Sequence, residues 1–125
     1  MEVVTTPVFS AIDHVQLAAP PGGENEARRF YAGVLGMHEL PKPTTLSQRG
    51  GVWFASGDVH IHVGIEPDFQ LSRKAHPALA CSDYEALLAR LTMLGVGMHE
   101  VDDIPGVRRA YICDPFGNRI ELISR

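Results

Sequence analysis

The chain has 125 residues, a size at which about two-thirds of the unfolded surface is buried on folding, so it needs no disulfides to build a core. Its composition, 45% hydrophobic and 21% charged, excludes an intrinsically disordered protein. A net charge of −4 without a long basic run argues against nucleic acids and anionic membranes as partners. Two cysteines are too few for a disulfide framework. Without a basic leader or a membrane-length apolar run, the sequence predicts a cytoplasmic protein.

The sequence predicts one domain over residues 1–125, built from two copies of a single unit. The first unit, about residues 12–65, begins with a predicted strand at Ile12–Ala19. From Glu24 to Leu35 apolar residues recur at helical spacing, and Gly36 follows where a left-handed C-terminal cap is expected. Short strands over about residues 52–55 and 59–65 complete this unit.

The second unit, about residues 75–123, repeats this order. A predicted strand at His76–Cys81 precedes Ser82-Asp83-Tyr84-Glu85, which has the spacing of a helix capping box. Gly95 ends the predicted helix, and strands are expected over about residues 108–113 and 119–123. A Gly-Met-His-Glu segment follows each helix and places its histidine, His38 or His99, in a turn or edge position before the short strands. Both units therefore have the order strand, helix, three strands.

Metal-binding side chains recur at equivalent places in the two units. His14 and His76 stand at the start of the first strands, and His62 and Glu121 each lie between two aliphatic residues of the last strand. Alternation along the strands places all four on the face opposite their aliphatic neighbours. Imidazole and carboxylate together suit a divalent ion such as zinc, nickel, iron, manganese or cobalt. The repeat therefore predicts one metal site at the seam between the units.

Further polar residues share these faces and leave alternatives open. His60 lies on the same face as His62 and could replace it as a ligand, although the match of Ile-His-Val to Ile-Glu-Leu favours His62. Gln16 shares the face of His14, and Arg109 and Tyr111 share a face of their own strand, so these three are candidate substrate-pocket residues. An arginine in the pocket favours an anionic or carbonyl-bearing substrate.

The segment Asp114-Pro115-Phe116-Gly117-Asn118-Arg119-Ile120-Glu121-Leu122 resembles the closing hairpin of the vicinal-oxygen-chelate superfamily. That superfamily includes glyoxalase I, bleomycin-resistance proteins, fosfomycin-resistance enzymes and extradiol dioxygenases. The resemblance runs from Ile12 to Ile123 and implies an α+β fold. In this fold, tandem βαβββ units form a curved mixed-sheet half-barrel with a helix packed outside each unit. The resemblance also implies one divalent ion per site, with ligands at His14, His62, His76 and Glu121.

The resemblance implies a metal-dependent lyase or isomerase of the glyoxalase I type, acting on a small oxygen-chelating substrate with Glu121 as the catalytic base. The chain departs from glyoxalase I at His62, where those enzymes typically have a second glutamate. His14, His76 and Glu121 also resemble the ligand set of extradiol dioxygenases and fosfomycin-modifying transferases, so a dioxygenase or thiol transferase is an alternative. The third possibility is a non-catalytic drug-binding and resistance protein. The bleomycin-resistance proteins of the superfamily bind drugs in this way and lack the metal ligands.

We also expect a homodimer. An open half-barrel leaves apolar sheet edge and cleft wall that a second copy could cover. Relatives pair their units either within one chain or by exchange between two chains, and the sequence leaves both arrangements open.

Overall fold

The computed structural model describes residues 6–125. The first unit contains β1 (Val15–Ala19), α1 (Glu24–Ala27) continued by a π-helix (Arg28–Val34), β2 (His38–Leu40), a 3₁₀-helix (Thr44–Arg49), β3 (Val52–Ser56) and β4 (Val59–Ile65). The second contains β5 (Ala78–Cys81), α2 (Tyr84–Met93), β6 (His99–Val101), β7 (Arg109–Cys113) and β8 (Arg119–Ser124). Within residues 6–125, every helix is too short or too polar to cross a membrane.

Each unit forms its own four-stranded mixed sheet, with the strand orders β1-β4-β3-β2 and β5-β8-β7-β6. The first strand of each unit runs parallel to the last, and the remaining pairs are antiparallel. The registers correspond, because Gln16 lies opposite His62 and Ala78 lies opposite Glu121. This arrangement confirms the predicted α+β fold of tandem βαβββ units.

The helices pack on one face of each sheet and leave the other face free for polar residues. Ile61 and Phe54 in the first sheet and Ile120 in the second are fully buried. The ring of Tyr31, on the π-helix, stacks on Phe54 with centroids 5.2 Å apart. Burial of each large apolar side chain stabilises the fold by about 1.5–3 kcal/mol. Because alternate strand residues point to opposite faces, this packing directs His62 and Glu121 away from the helices.

Element boundaries differ from the prediction at three places. The first helix is α-helical only over Glu24–Ala27 and then widens into a π-helix, seen in the bond from the Leu35 N–H to the Phe30 carbonyl. The strand predicted at Ile12–Ala19 begins at Val15, so His14 lies just before it. In the same way, His76 precedes β5 by two residues.

The predicted capping box at the start of α2 is wrong. Asp83, and not Ser82, is the N-cap residue, and its carboxylate accepts a hydrogen bond from the Ala86 N–H at 3.1 Å. Aspartate is as good a cap as serine, so the helix starts one residue later than the Ser-x-x-Glu spacing indicates.

Polar contacts hold the two units together. The Tyr31 hydroxyl donates to Asp114 Oδ2 at 2.7 Å, and the side-chain amide of Asn118 donates to the Ala18 carbonyl at 2.8 Å. Asp114 Oδ1 also accepts from the backbone N–H groups of Phe116 and Asn118, which orders the β7–β8 turn. The β7–β8 hairpin, whose second strand carries Glu121, is therefore anchored to the first unit.

Candidate functional site

The free face of the first sheet carries a stack of three rings centred on His62. His14 stacks on His62 with centroids 4.0 Å apart, and Trp53 stacks on it with centroids 4.1 Å apart. His62 is only 8% exposed. Burial lowers the pKa of His62, and the positive charges that His14 and His60 can carry lower it further. His62 is therefore neutral at neutral pH, which is the form of imidazole that binds metal ions.

The equivalent face of the second sheet carries a histidine–carboxylate pair. His76 Nε2 lies 3.0 Å from Glu121 Oε1, and His76 Nδ1 lies 2.6 Å from the Lys74 carbonyl oxygen. A carbonyl only accepts, so Nδ1 carries a proton, and a neutral His76 turns the lone pair of Nε2 towards the carboxylate. Two acceptors this close require a cation between them, either a proton or a metal ion. A backbone hydrogen bond on the outer nitrogen is also the usual support of a metal-binding histidine, so the pair fits a divalent ion.

Glu121 is also held by Arg109. Arg109 Nη1 lies 3.3 Å from Glu121 Oε2 and donates to the Tyr111 hydroxyl oxygen at 2.7 Å, while Nη2 donates to Asp103 Oδ1 at 2.7 Å. Burial acts to raise the pKa of Glu121, but the hydrogen bonds with His76 and Arg109 outweigh it and hold that pKa below its usual range. Glu121 is therefore ionised at neutral pH and available as a ligand.

One chain brings the four predicted ligands together as two pairs and not at one point. His14 contacts His62, and His76 contacts Glu121. Within residues 6–125 of a single chain, no three His, Cys, Asp or Glu side chains are grouped so that they could hold a metal ion. The rings of His14 and His62 are inclined by only 14°, so their lone pairs lie in nearly parallel planes, whereas ligands of one ion must converge on it. The expected meeting of four ligands is therefore incomplete within one chain.

The predicted pocket residues lie beside these pairs. Gln16 is opposite His62 in the register and lines a cleft of about 660 Å³ between β1 and β5, together with His76. Tyr111 lies directly opposite Glu121, and the guanidinium carbon of Arg119 lies 5.2 Å from the centre of its ring.

The sequence missed two members of the site. Trp53 was not among the candidate site residues, and its pairing with His62 follows from the β3–β4 hairpin register. Trp53 and His14 both stack on His62, whereas His60 lies opposite Ala55 in the strand register. Asp103 lies in an irregular loop, where neither periodicity nor turn chemistry indicates a contact with Arg109.

The sequence model of the Glyoxalase/Bleomycin resistance protein/Dioxygenase superfamily matches residues 11–122. The chain belongs to this superfamily. A Bacillus anthracis protein described as belonging to the glyoxalase family shares 42% sequence identity, with a TM-score of 0.93, over 97% of this chain and 99% of that one. No curated protein matches the sequence at a significant level.

Two more distant structures show the same fold. A glyoxalase family protein from Enterococcus faecalis is 22% identical with a TM-score of 0.74, over 92% of this chain and 98% of that one. A variant of a fosfomycin resistance protein from Listeria monocytogenes, complexed with Mn(II) and a dihydroxypropylphosphonic acid, is 20% identical with a TM-score of 0.76, over 94% and 93% of the two chains. Members of the superfamily share a fold but not a reaction, so the activity has to be argued from the site.

Proposed function

We propose that this member of the superfamily is a metal-dependent enzyme acting on a small molecule with neighbouring oxygen atoms. A lyase or isomerase of the glyoxalase I type is the first candidate. The observation that carries the proposal is the pair of His76 and Glu121, an imidazole oriented by a backbone carbonyl and a carboxylate 3.0 Å away. Both side chains are largely buried, at 22% and 12% exposure, where charge–charge interactions are stronger than in water.

His76 and Glu121 would hold one divalent ion together with His14 or His62. When bound, such an ion polarises substrate oxygens and so acidifies the carbon–hydrogen bonds next to them. Zinc, nickel, iron, manganese and cobalt all suit this mixture of imidazole and carboxylate. The Mn(II) carried by the Listeria monocytogenes fosfomycin resistance protein supports a divalent ion on this fold.

The residues around the pair suit proton transfer. Glu121 is the candidate base that moves a proton between neighbouring carbons of the substrate. Its hydrogen bonds with His76 and Arg109 lower its pKa and so weaken it as a base, and it must first lose one of these contacts to accept the proton. The Tyr111 oxygen already accepts a hydrogen bond from Arg109, so its own proton is free to be donated to a substrate oxygen. Arg109 would orient an anionic or carbonyl group beside Glu121.

A second copy of the chain would complete the site. His14 and His62 of one chain would then face His76 and Glu121 of the other. The segment before His14 supports this arrangement, because Val8 and Phe9 are 91% and 89% exposed in a single chain. In residues 6–125, β1 and β5 are also sheet-edge strands with one unpaired side each. The proposed assembly is a homodimer with two metal sites.

A transferase acting on a phosphonate is the second candidate. The guanidinium groups of Arg109 and Arg119 both lie over the Tyr111 ring, 5.4 and 5.2 Å from its centre, beside Glu121. Two guanidinium groups beside one ring favour an anionic substrate, and the relative bound to a phosphonic acid has the same fold.

Metal analysis of protein purified without a histidine tag tests the proposal. We expect one divalent ion per chain, and a free energy of unfolding ~3–4 kcal/mol higher at a hundred- to thousandfold excess of metal over its Kd. Unchanged melting after chelation, with no metal found, would leave only the drug-binding function. A substrate panel of 2-oxoaldehyde–thiol hemithioacetals, catechols with iron, and fosfomycin with thiols then separates isomerase, dioxygenase and transferase.

A further inference from the structure

Arg109 is a largely buried charged side chain outside the predicted ligands, and its hydrogen bonding is incomplete. The side chain is 11% exposed. Nη1 donates to the Tyr111 hydroxyl oxygen and lies 3.3 Å from a Glu121 carboxylate oxygen, and Nη2 donates to Asp103. Nε is buried and has no hydrogen-bond partner among the residues that the structure describes. A buried donor without a partner is uncommon in folded proteins and calls for a specific explanation.

The unused donor lies on the edge of the guanidinium that arginine uses to grip anions. Nε–H and Nη2–H point the same way and together bind the two oxygens of a carboxylate or phosphonate. Asp103 contacts only the Nη2 half of this edge, through Oδ1 at 2.7 Å. Its side chain is 60% exposed on the loop between β6 and β7, so the contact can exchange with solvent.

We propose that the Nε–Nη2 edge of Arg109 is a binding site for the anionic group of a small organic anion, a carboxylate or a phosphonate, and that Asp103 fills this site in the free protein. A free anion can present two oxygens to the edge, which Asp103 in its observed position does not. Glu121 contacts the opposite side of the same guanidinium, since its Oε2 lies 3.3 Å from Nη1, so it does not compete with an anion for the Nε–Nη2 edge. Arg119 adds a positive charge on the same face, and it makes no ion pair with any described residue.

This inference rests on the proposed function only in treating the anion as part of the substrate. Anion binding itself requires neither metal nor turnover. It can therefore be measured on metal-free protein, and a negative result would leave the proposed metal chemistry untouched.

The test is a titration of chelator-treated, ¹⁵N-labelled protein with acetate and with methylphosphonate at constant ionic strength. The arginine Nε–H resonances are followed, and that of Arg109 is identified by its absence in Arg109→Lys. We expect this resonance to shift with either or both anions, and a response to one alone names the anionic group. Because exposed ion pairs contribute little, Asp103→Asn should bind about two- to fivefold more tightly than the parent.

Asp102→Asn is the matched control, since Asp102 is the exposed neighbour of Asp103 and should leave the affinity unchanged. Arg109→Lys should weaken binding at least about fivefold, because lysine lacks the planar fork. Equal affinities for the parent, Asp103→Asn and Asp102→Asn would overturn the role of Asp103. Undiminished binding by Arg109→Lys would place the anion elsewhere. If Arg109→Lys fails to fold by circular dichroism, the Nε–H resonance displaced in Asp103→Asn but not in Asp102→Asn assigns Arg109, and the affinities of these two variants decide the result.

Discussion

Glu121 is the residue on which the proposed chemistry most depends. Glu121→Gln should retain part of the metal affinity, because an amide oxygen can still coordinate, but lose at least ~100-fold in kcat because the base is gone. Calorimetric metal titration and steady-state kinetics on a substrate from the panel measure the two effects separately. His62→Gln is the matched variant and should be milder in kcat, since His62 is expected to bind the metal and not to move the proton. A Glu121→Gln enzyme as fast as the parent would favour the dioxygenase or transferase.

His62 should make the metal-free protein sensitive to mild acid. Burial lowers the pKa of His62, so below about pH 6.5 the unfolded chain binds a proton that the folded chain resists. The free energy of unfolding should therefore fall as the pH drops through this range, and His62 contributes nothing to the pH dependence well above it. Denaturant unfolding at a series of pH values between neutral and mildly acidic measures the effect.

His62→Gln should have a smaller loss of stability over the same pH range. Glu121 affects stability only at more acidic pH. Because its pKa is lowered in the folded protein, the stability that it contributes is lost only as the pH falls below the ordinary pKa of a glutamate. An unchanged pH profile in His62→Gln would show that folding does not lower the pKa of His62.

At the scale of elements, the link between the π-helix and the β7–β8 turn fixes the two units against each other. Burial raises the pKa of Tyr31, and the adjacent Asp114 carboxylate raises it further, so the hydroxyl remains a donor. Tyr31→Phe should lower the free energy of unfolding by about 1.5–3 kcal/mol, the range for a hydrogen bond to a charged group. The low end is expected because Asp114 keeps its bonds from the β7–β8 turn.

Tyr84→Phe is the control for Tyr31→Phe. The Tyr84 hydroxyl lies 3.4 Å from Glu100 Oε1, a longer contact to a side chain that is 53% exposed. Its loss should therefore matter much less than that of the Tyr31 hydroxyl. Denaturant unfolding with an unchanged m-value provides the comparison. Equal losses in the two variants would mean that the Tyr31–Asp114 bond does not hold the units together.

At the scale of the whole molecule, the proposed dimer predicts complementation between two inactive chains. His14→Ala/His62→Ala and His76→Ala/Glu121→Gln should each bind metal poorly. In a mixed dimer, one site then receives His14 and His62 from one chain and His76 and Glu121 from the other, all intact. Co-refolding equal amounts should restore about one quarter of the parent sites, because half of the dimers are mixed and each has one intact site.

Light scattering and metal analysis of the refolded mixture measure this outcome. Each variant refolded alone is the control, because it contains no intact site in any arrangement between two chains. A monomer at micromolar concentration, or a mixture that binds no more metal than its components, would rule out a site shared between chains.

Local physics explains why so much of the fold could be predicted from the sequence. Strand alternation is set by the pleat, so the aliphatic neighbours of Glu121 and His62 were enough to place both side chains on the free face. Gly36 and Gly95 end their helices with positive φ, as their positions predicted. The family resemblance of the closing hairpin was also carried by consecutive residues, 114–122, and is confirmed by the superfamily match.

By itself, then, the sequence determined the tandem βαβββ order, the face of each sheet that carries polar groups, and the equivalent positions of His14, His62, His76 and Glu121 in the two units. Only the tertiary structure decided that one chain groups these residues as two separate pairs, and that Asp103 accepts a hydrogen bond from Arg109. The physical reason is the distance along the chain over which each interaction acts. Periodicity and caps act over a few residues, whereas the distance between the two faces depends on how the units pack, and the position of Asp103 depends on an irregular loop.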